Sequence, residues 1–422
     1  MTFQRGPLRG DVRVAGDKSI SHRALIVAAA ANGTSTVARP NRGADVLATR
    51  DAIAALGAHV DDRGATMVVT GGTLRSPATT IDARNSGTTA RLLLGLCAGH
   101  GIVATFDGDE SLRRRPMERV ARPLRAMGAR VDTDGGRLPA TVRGVIAPPG
   151  GTFELDVASA QVKSAILLAH LDARALVRVS GDAFSRDHTE IMLRRFGRIV
   201  RFDGRSVELE PGSLVAQTVR IPGDLSGAAF FLAAAAITPG SDVILREVGT
   251  NATRTGILDA LRAMGADLTV TNQRTLDGEP VADISVRYRP LCATTLAGEL
   301  VVRAIDEITL LAVVAAHADG TTRIRDAADL RAKESDRLAV IAQTLRACGV
   351  VVEELADGLD ITGGSARVPD AALRTRDDHR IAMAAATLAA PVGPHEIDDA
   401  ACIAVSFPDF IPLWEAAQAT CR

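Results

Sequence analysis

SHRALIVAAAANGTSTV, residues 21–37, sets the pattern for the whole chain. Small or polar residues lead into an Ala/Leu-rich run, then a turn, then a β-prone stretch. The same order returns at Ser86 (SGTTARLLLGLCAGHGIVATF), Ser159 (SAQVKSAILLAHLDARALVRV), Ser226 (SGAAFFLAAAAITPGSDVIL), Asp306 (DEITLLAVVAAHADGTTRI) and Asp378 (DHRIAMAAATLAAPVGPHEI). The starts lie 65 to 80 residues apart, a longer period than a solenoid repeat. Five of the six copies carry a second block that ends in glycine before a strand: AIAALGAHV, PLRAMGARV, MLRRFGRIV, ALRAMGADL and TLRACGVVV.

Each copy thus predicts two helices and several short strands. The first helix opens with Ser or Asp, good N-caps. Its middle is apolar nearly all round, so it is expected to be buried. The second has apolar residues at helical spacing and ends at a glycine suited to a left-handed C-cap. Six copies fit an α/β fold of two similar domains, three units each, with helices inside and sheets outside. The chain is expected to cross between domains at Gly16-Asp17 and at Pro222-Gly223-Asp224. Residues 17–223 then form the N-terminal domain. Residues 1–16 and 224–422 form the C-terminal one.

Composition narrows the function. The net charge of −1 over 422 residues argues against nucleic-acid binding by bulk charge. Cys97, Cys292, Cys348, Cys402 and Cys421 are scattered, with no CxxC pair, which fits a reducing compartment. MTFQRGPLRG has no apolar signal-peptide core, and the longest apolar stretch, residues 228–237, is too short to span a bilayer. A cytosolic protein bound to no membrane is expected. Of 49 basic residues only Lys18, Lys163 and Lys333 are lysines. Scarcity alone reflects codon bias. It does not explain why all three sit in GDKSISHR, SAQVKSA and AKESDR, where a compact ammonium differs from a planar guanidinium.

The polar segments gather at the starts of the core helices, where free N–H groups and a partial positive charge suit anions. GDKSISHRAL (16–25) places Lys18, Ser19 and Arg23 around one helix start. A capped helix with surface cations would use the same residues. NSGTTARLL (85–93) is a small-residue turn in which Gly87 permits close backbone approach. GDESLRRRPMERV (108–120) reads as a polar loop with Arg115 best placed, or as a solvated basic run. SAQVKSAILL (159–168) offers Ser159, Gln161 and Lys163, and Gln161 in that apolar context needs a partner. SRDHTE (185–190) offers Ser185, by default a cap, and Arg186. The C-terminal half adds Asp306 and Glu307 before a wholly apolar run, then Lys333, Glu334, Asp336 and Arg337, then Asp378, His379 and Arg380. The eight histidines form no metal-ligand spacing, and no P-loop or nucleophile elbow is present, so no metal is expected.

Seven strings in order, GDKSISHRAL, NSGTTARLL, GDESLRRRPM, SAQVKSA, SRDHTE, KESDR and DHR, resemble the enolpyruvyl transferases of the shikimate pathway from about Leu8 to Pro412. The resemblance implies two domains of three βαβαββ units each, closing over a cleft that holds the active site. It implies transfer of the enolpyruvyl group of phosphoenolpyruvate to the 5-hydroxyl of shikimate 3-phosphate, without metal or organic cofactor, by a monomer. Lys18, Gly87, Arg115, Gln161, Arg337 and Arg380 match positions around phosphoenolpyruvate. Lys18, Ser19, Arg23, Ser159, Gln161, Ser185, Asp306 and Lys333 match positions around shikimate 3-phosphate. Lys18, Asp306 and Glu334 match the catalytic positions. Two departures stand out: Ala160 where some members have serine, and Val405 where many have a lysine.

Two phosphates and a carboxylate in one cleft repel. Unit charges about 4 Å apart interact by about 4 kcal/mol at an effective dielectric near 20. Lys18, Arg23, Arg115, Lys333, Arg337 and Arg380 supply the compensating cations. A UDP-sugar enolpyruvyl transferase is the first alternative, although its usual loop cysteine has no counterpart in GDESLRRRPM. A non-catalytic anion-binding paralogue is the second.

Overall fold

Six helices run through the interior: Lys18–Ala30, Gly87–Gly99, Ala160–Ala169, Leu225–Ile237, Ile308–Ala315 and His379–Val392. They are the six Ala/Leu-rich runs, and their middles are buried on every side. The structure, a computed structural model, describes residues 1–156, 158–181 and 185–419, so Cys421 lies outside it. Helix starts differ in detail from the repeat pattern. The first helix begins at Lys18, and Ser21 lies inside it, accepting from the Asn41 N–H at 2.9 Å. Asp224, not Ser226, caps the fourth. The fifth has no side-chain cap. Ser86, Ser159 and Asp378 do cap theirs.

The five second-block helices are Ala44–Ala55, Glu118–Ala126, His188–Arg195, Gly256–Ala263 and Arg337–Ala347. Each is followed within two residues by a glycine at positive φ: Gly57, Gly128, Gly197, Gly265 and Gly349. The N–H of each glycine closes the last turn, and the chain then turns into a strand.

The chain divides into two units. The inserted unit is Lys18–Ile221 with Asp277–Glu279, and the terminal unit is the remainder. The short stretch 277–279 joins the inserted unit because Asp277 pairs with Arg195 at 3.1 Å and Glu279 with His188 at 2.7 Å. In the inserted unit the three core helices are accompanied by three four-stranded sheets of one design. In each sheet two strands run parallel, as Thr218–Arg220 does with Gly33–Ala38, and an antiparallel hairpin completes the set.

The terminal unit repeats this design twice, with sheets built on Arg9–Val12 beside Asp242–Gly249 and on Thr295–Leu296 beside Thr321–Ile324. The sixth copy departs from it. It adds only the strand His395–Glu396, paired with Thr2–Phe3, and ends in the helix Phe410–Ala419. No second block follows Asp378 in the sequence. The last helix instead lays Phe410 and Trp414 on Phe231 of the fourth core helix, with ring centres 5.7 and 5.4 Å apart. Among the described residues no helix is long and apolar enough to cross a membrane, and Cys97, Cys292, Cys348 and Cys402 are unpaired thiols.

Candidate active site

In the inserted unit the site residues meet because the core helices pack backbone against backbone. A Cβ on Gly95 or Gly99 would collide with the main chain at Ala165 or Ala169, so only glycine permits this approach of the second and third core helices. The approach sets Arg91 beside Gln161. Arg91 donates to the Gln161 side-chain oxygen at 2.7 Å and to the Pro116 carbonyl at 3.1 Å. Gln161 donates in turn to Thr88 at 3.1 Å. Arg115 donates to the Asn85 side-chain oxygen at 2.8 Å. Its segment is not a plain loop, since Asp109 caps a short helix, Glu110–Arg114, just before it. Gly87 lies between the two arginines. A Cβ there would come 2.7 Å from Arg91 Nη1 and 3.5 Å from Arg115 Nη1.

The first core helix joins this group through hydroxyls. His22 bonds Thr49 at 2.7 Å, and Thr49 bonds Thr89 at 2.6 Å. Lys18 donates to Asp45 at 2.8 Å, which aims the ammonium from the helix start. Arg23 is buried, donating to Thr189 at 2.7 Å, Ser164 at 3.0 Å and the Ser19 carbonyl at 3.0 Å. Arg186 donates to the Ser19 hydroxyl at 3.5 Å. Lys163 pairs with Glu190 at 2.8 Å, both fully buried, and reaches the Ser185 carbonyl at 3.5 Å. Burial pushes the Glu190 carboxyl up, against the pull of Lys163. Ser185 is not a helix cap, for Asp187 precedes the helix His188–Arg195. Ser159 caps its own helix through the Val162 N–H.

The terminal unit builds a second cluster around Asp306. Lys333 and Arg337 stand 3.7 Å from its carboxylate and Arg380 3.8 Å. Arg337 is also 2.7 Å from Glu334 and 2.8 Å from Asp378. Burial opposes the Arg337 charge, but Asp378, Glu334 and Asp306 outweigh it and hold the guanidinium protonated. Burial likewise raises the Asp378 carboxyl, and Arg337 more than reverses this. Asp306 is not the helix cap that its position suggests. It precedes Glu307, and its backbone oxygen accepts from Arg380 at 2.7 Å. Val405 is half-buried at the end of the 3-10 turn Ala401–Val405.

Every predicted site residue therefore falls in one of two clusters or at the start of a core helix. Sequence reasoning left Asp45, Thr189 and Glu190 unassigned, and read Asp378 as a helix start without its partner Arg337. Thr189 and Glu190 lay in the quoted motif SRDHTE, where only Ser185 and Arg186 were singled out. Asp45 had no signal at all.

This duplicated architecture is the enolpyruvyl transferase fold. The solved structure of the enolpyruvyl transferase NikO from Streptomyces tendae superposes with a TM-score of 0.78, covering 99% of this chain and 96% of that one, at 19% identity, a likeness of fold alone. The chain belongs to the EPSP synthase (3-phosphoshikimate 1-carboxyvinyltransferase) family, whose model matches residues 3–414. It is 50% identical to a 3-phosphoshikimate 1-carboxyvinyltransferase of Gloeobacter violaceus over 96% of this chain and 95% of that protein. A Synechococcus protein of the same name is 48% identical, over 96% of each chain. The EPSP synthase structure from Acinetobacter baumannii superposes with a TM-score of 0.86 at 40% identity, covering 99% and 98% of the two chains.

Proposed function

We propose that this chain carries out the reaction of its family, moving the enolpyruvyl group of phosphoenolpyruvate to the 5-hydroxyl of shikimate 3-phosphate, in aromatic amino acid biosynthesis. The observation that carries the residue assignment is Asp306, a carboxylate faced by Lys333 and Arg337 from one segment and by Arg380 from another. Asp306 takes the proton of the 5-hydroxyl as that oxygen adds to C2 and C3 gains a proton. Phosphate then leaves the tetrahedral intermediate as C3 loses a proton. Lys18 and Glu334 serve the proton transfers at C3 and at the bridging oxygen.

Arg115, Gln161, Arg337 and Arg380, with the open backbone at Gly87, receive phosphoenolpyruvate. Lys18, Ser19, Arg23, Ser159, Gln161, Ser185, Asp306 and Lys333 receive shikimate 3-phosphate. The reading takes residues 17–223 and residues 1–16 plus 224–422 as the two domains, while by contacts Asp17, Pro222 and Gly223 fall in the terminal unit and 277–279 in the inserted one. The reading includes a monomer in the cytoplasm, and light scattering of the purified protein checks the first part. The reaction is tested by phosphate release that requires both substrates, with a product heavier by one carboxyvinyl group. Asp306→Asn is expected to lower kcat about a thousandfold. Phosphate release at the wild-type rate in that variant would remove Asp306 from the mechanism.

A further inference from the structure

A buried line of polar contacts in the terminal unit reaches from the two chain crossings to Asp306. Asp17 is the last residue before the inserted unit, and Pro222 the first after it. The crossing strands are pinned side by side. The Asp17 N–H donates to the Pro222 carbonyl at 2.8 Å, and the Asp224 N–H to the Ala15 carbonyl at 2.9 Å. Arg254 sits against both carboxylates, 3.4 Å from Asp17 and 3.6 Å from Asp224. Its Nη2 also donates to the Ser226 hydroxyl at 2.5 Å, and Ser226 donates to Glu307. Glu307 is 1% exposed and takes Arg380 Nη1 at 3.5 Å. That same nitrogen donates to the Asp306 backbone oxygen.

The direction of this line is forced. Arg254 has only donors and an ionised Glu307 only acceptors, so the single Ser226 proton must point to Glu307. Burial works against the Arg254 charge, and the surrounding carboxylates, Asp17 first, keep it. Groups this buried contribute little net stability compared with an apolar core, but they favour one geometry. The other Glu307 oxygen is buried with no hydrogen bond among the described residues. The oxygen that Ser226 holds also faces Arg380 Nη1 at 3.5 Å, so without Ser226 Arg380 is left as its donor. The guanidinium would then be drawn toward Glu307 and off Asp306.

We infer that Arg254, Ser226 and Glu307 are positioning residues, which hold the Asp306–Arg380 pair in register with the crossing strands. The inference rests on the reaction proposed above. Ser226→Ala tests it with the smallest disturbance, since the Arg254 ion pairs remain. We expect kcat to fall about tenfold, as for a slightly misplaced catalytic group, with KM for both substrates within about twofold. Ser226 and Arg380 are not bonded to each other, yet urea unfolding of Ser226→Ala, Arg380→Gln and the double variant should be non-additive. An unchanged kcat in folded Ser226→Ala, or additive unfolding shifts, overturns the relay. Wild-type protein that makes no carboxyvinyl product instead overturns the assigned reaction, and the unfolding cycle still decides the relay.

Discussion

Arg91 donates to Gln161 at 2.7 Å, and a methyl group on Gly87 would sit 2.7 Å from the same Arg91 nitrogen. One added carbon thus acts on two side chains. Gly87→Ala is expected to fold, because the obstructing atom is the end of a flexible side chain. The displaced Arg91 loosens Gln161 and crowds Arg115. KM for phosphoenolpyruvate should rise about tenfold, with KM for shikimate 3-phosphate nearly unchanged. Equal changes in both would show that Gly87 does not discriminate between the substrates.

Lys18 is aimed by Asp45, an acid in the first turn of the helix Ala44–Ala55. Asp45→Asn keeps the shape and removes the charge. We expect kcat to drop about tenfold while thermal stability changes by less than about 1 kcal/mol, the usual scale for one carboxylate at a helix start. A large loss of stability with kcat intact would make Asp45 structural.

Asp378 is completely buried and binds Arg337 through two oxygens, at 2.8 and 3.2 Å, while also capping the last core helix. Asn can still cap but cannot neutralise the guanidinium. Asp378→Asn should cost about 3 kcal/mol in urea unfolding, the scale for removing one partner of a buried pair. A cost under about 1 kcal/mol would mean that Glu334 and Asp306 suffice for Arg337.

His317 follows the fifth core helix, and burial first, then His395, lowers its pKa to about 4. The folded state therefore resists a proton that the unfolded chain accepts near pH 6.5. Stability contributed by neutral His317 is present above about pH 6.5 and is lost as pH falls toward 4. The expected loss is about 3 kcal/mol. His317→Gln should flatten the urea midpoint between pH 6.5 and 4.5 relative to wild type. Parallel curves would show that His317 is protonated in the fold.

The core was legible because burial writes a long signal. Six Ala/Leu-rich runs, apolar on all sides, can only be interior helices, and Gly57, Gly128, Gly197, Gly265 and Gly349 take the left-handed turn that their position implied. The sixth copy was expected to match the others, although it lacked the second block, and it is shorter in the fold. Motif order was enough to single out Lys333, Arg337 and Arg380, which the structure brings to one carboxylate, Asp306.

Pairing was not legible. Nothing local distinguishes Asp45 or Glu190 from a solvated acid, Glu307 stands out only as an acid before an apolar run, and Arg254 reads as one arginine among many. Each acquires its role from a partner at least 27 residues away in the chain: Lys18 for Asp45, Lys163 for Glu190, Arg380 for Glu307. Hydrophobic patterning and helix capping act over a few residues, so residue order alone specifies them. A buried charge is tolerable only beside its counter-charge, and which two meet depends on helices packed closely enough for Gly95 to touch Ala165.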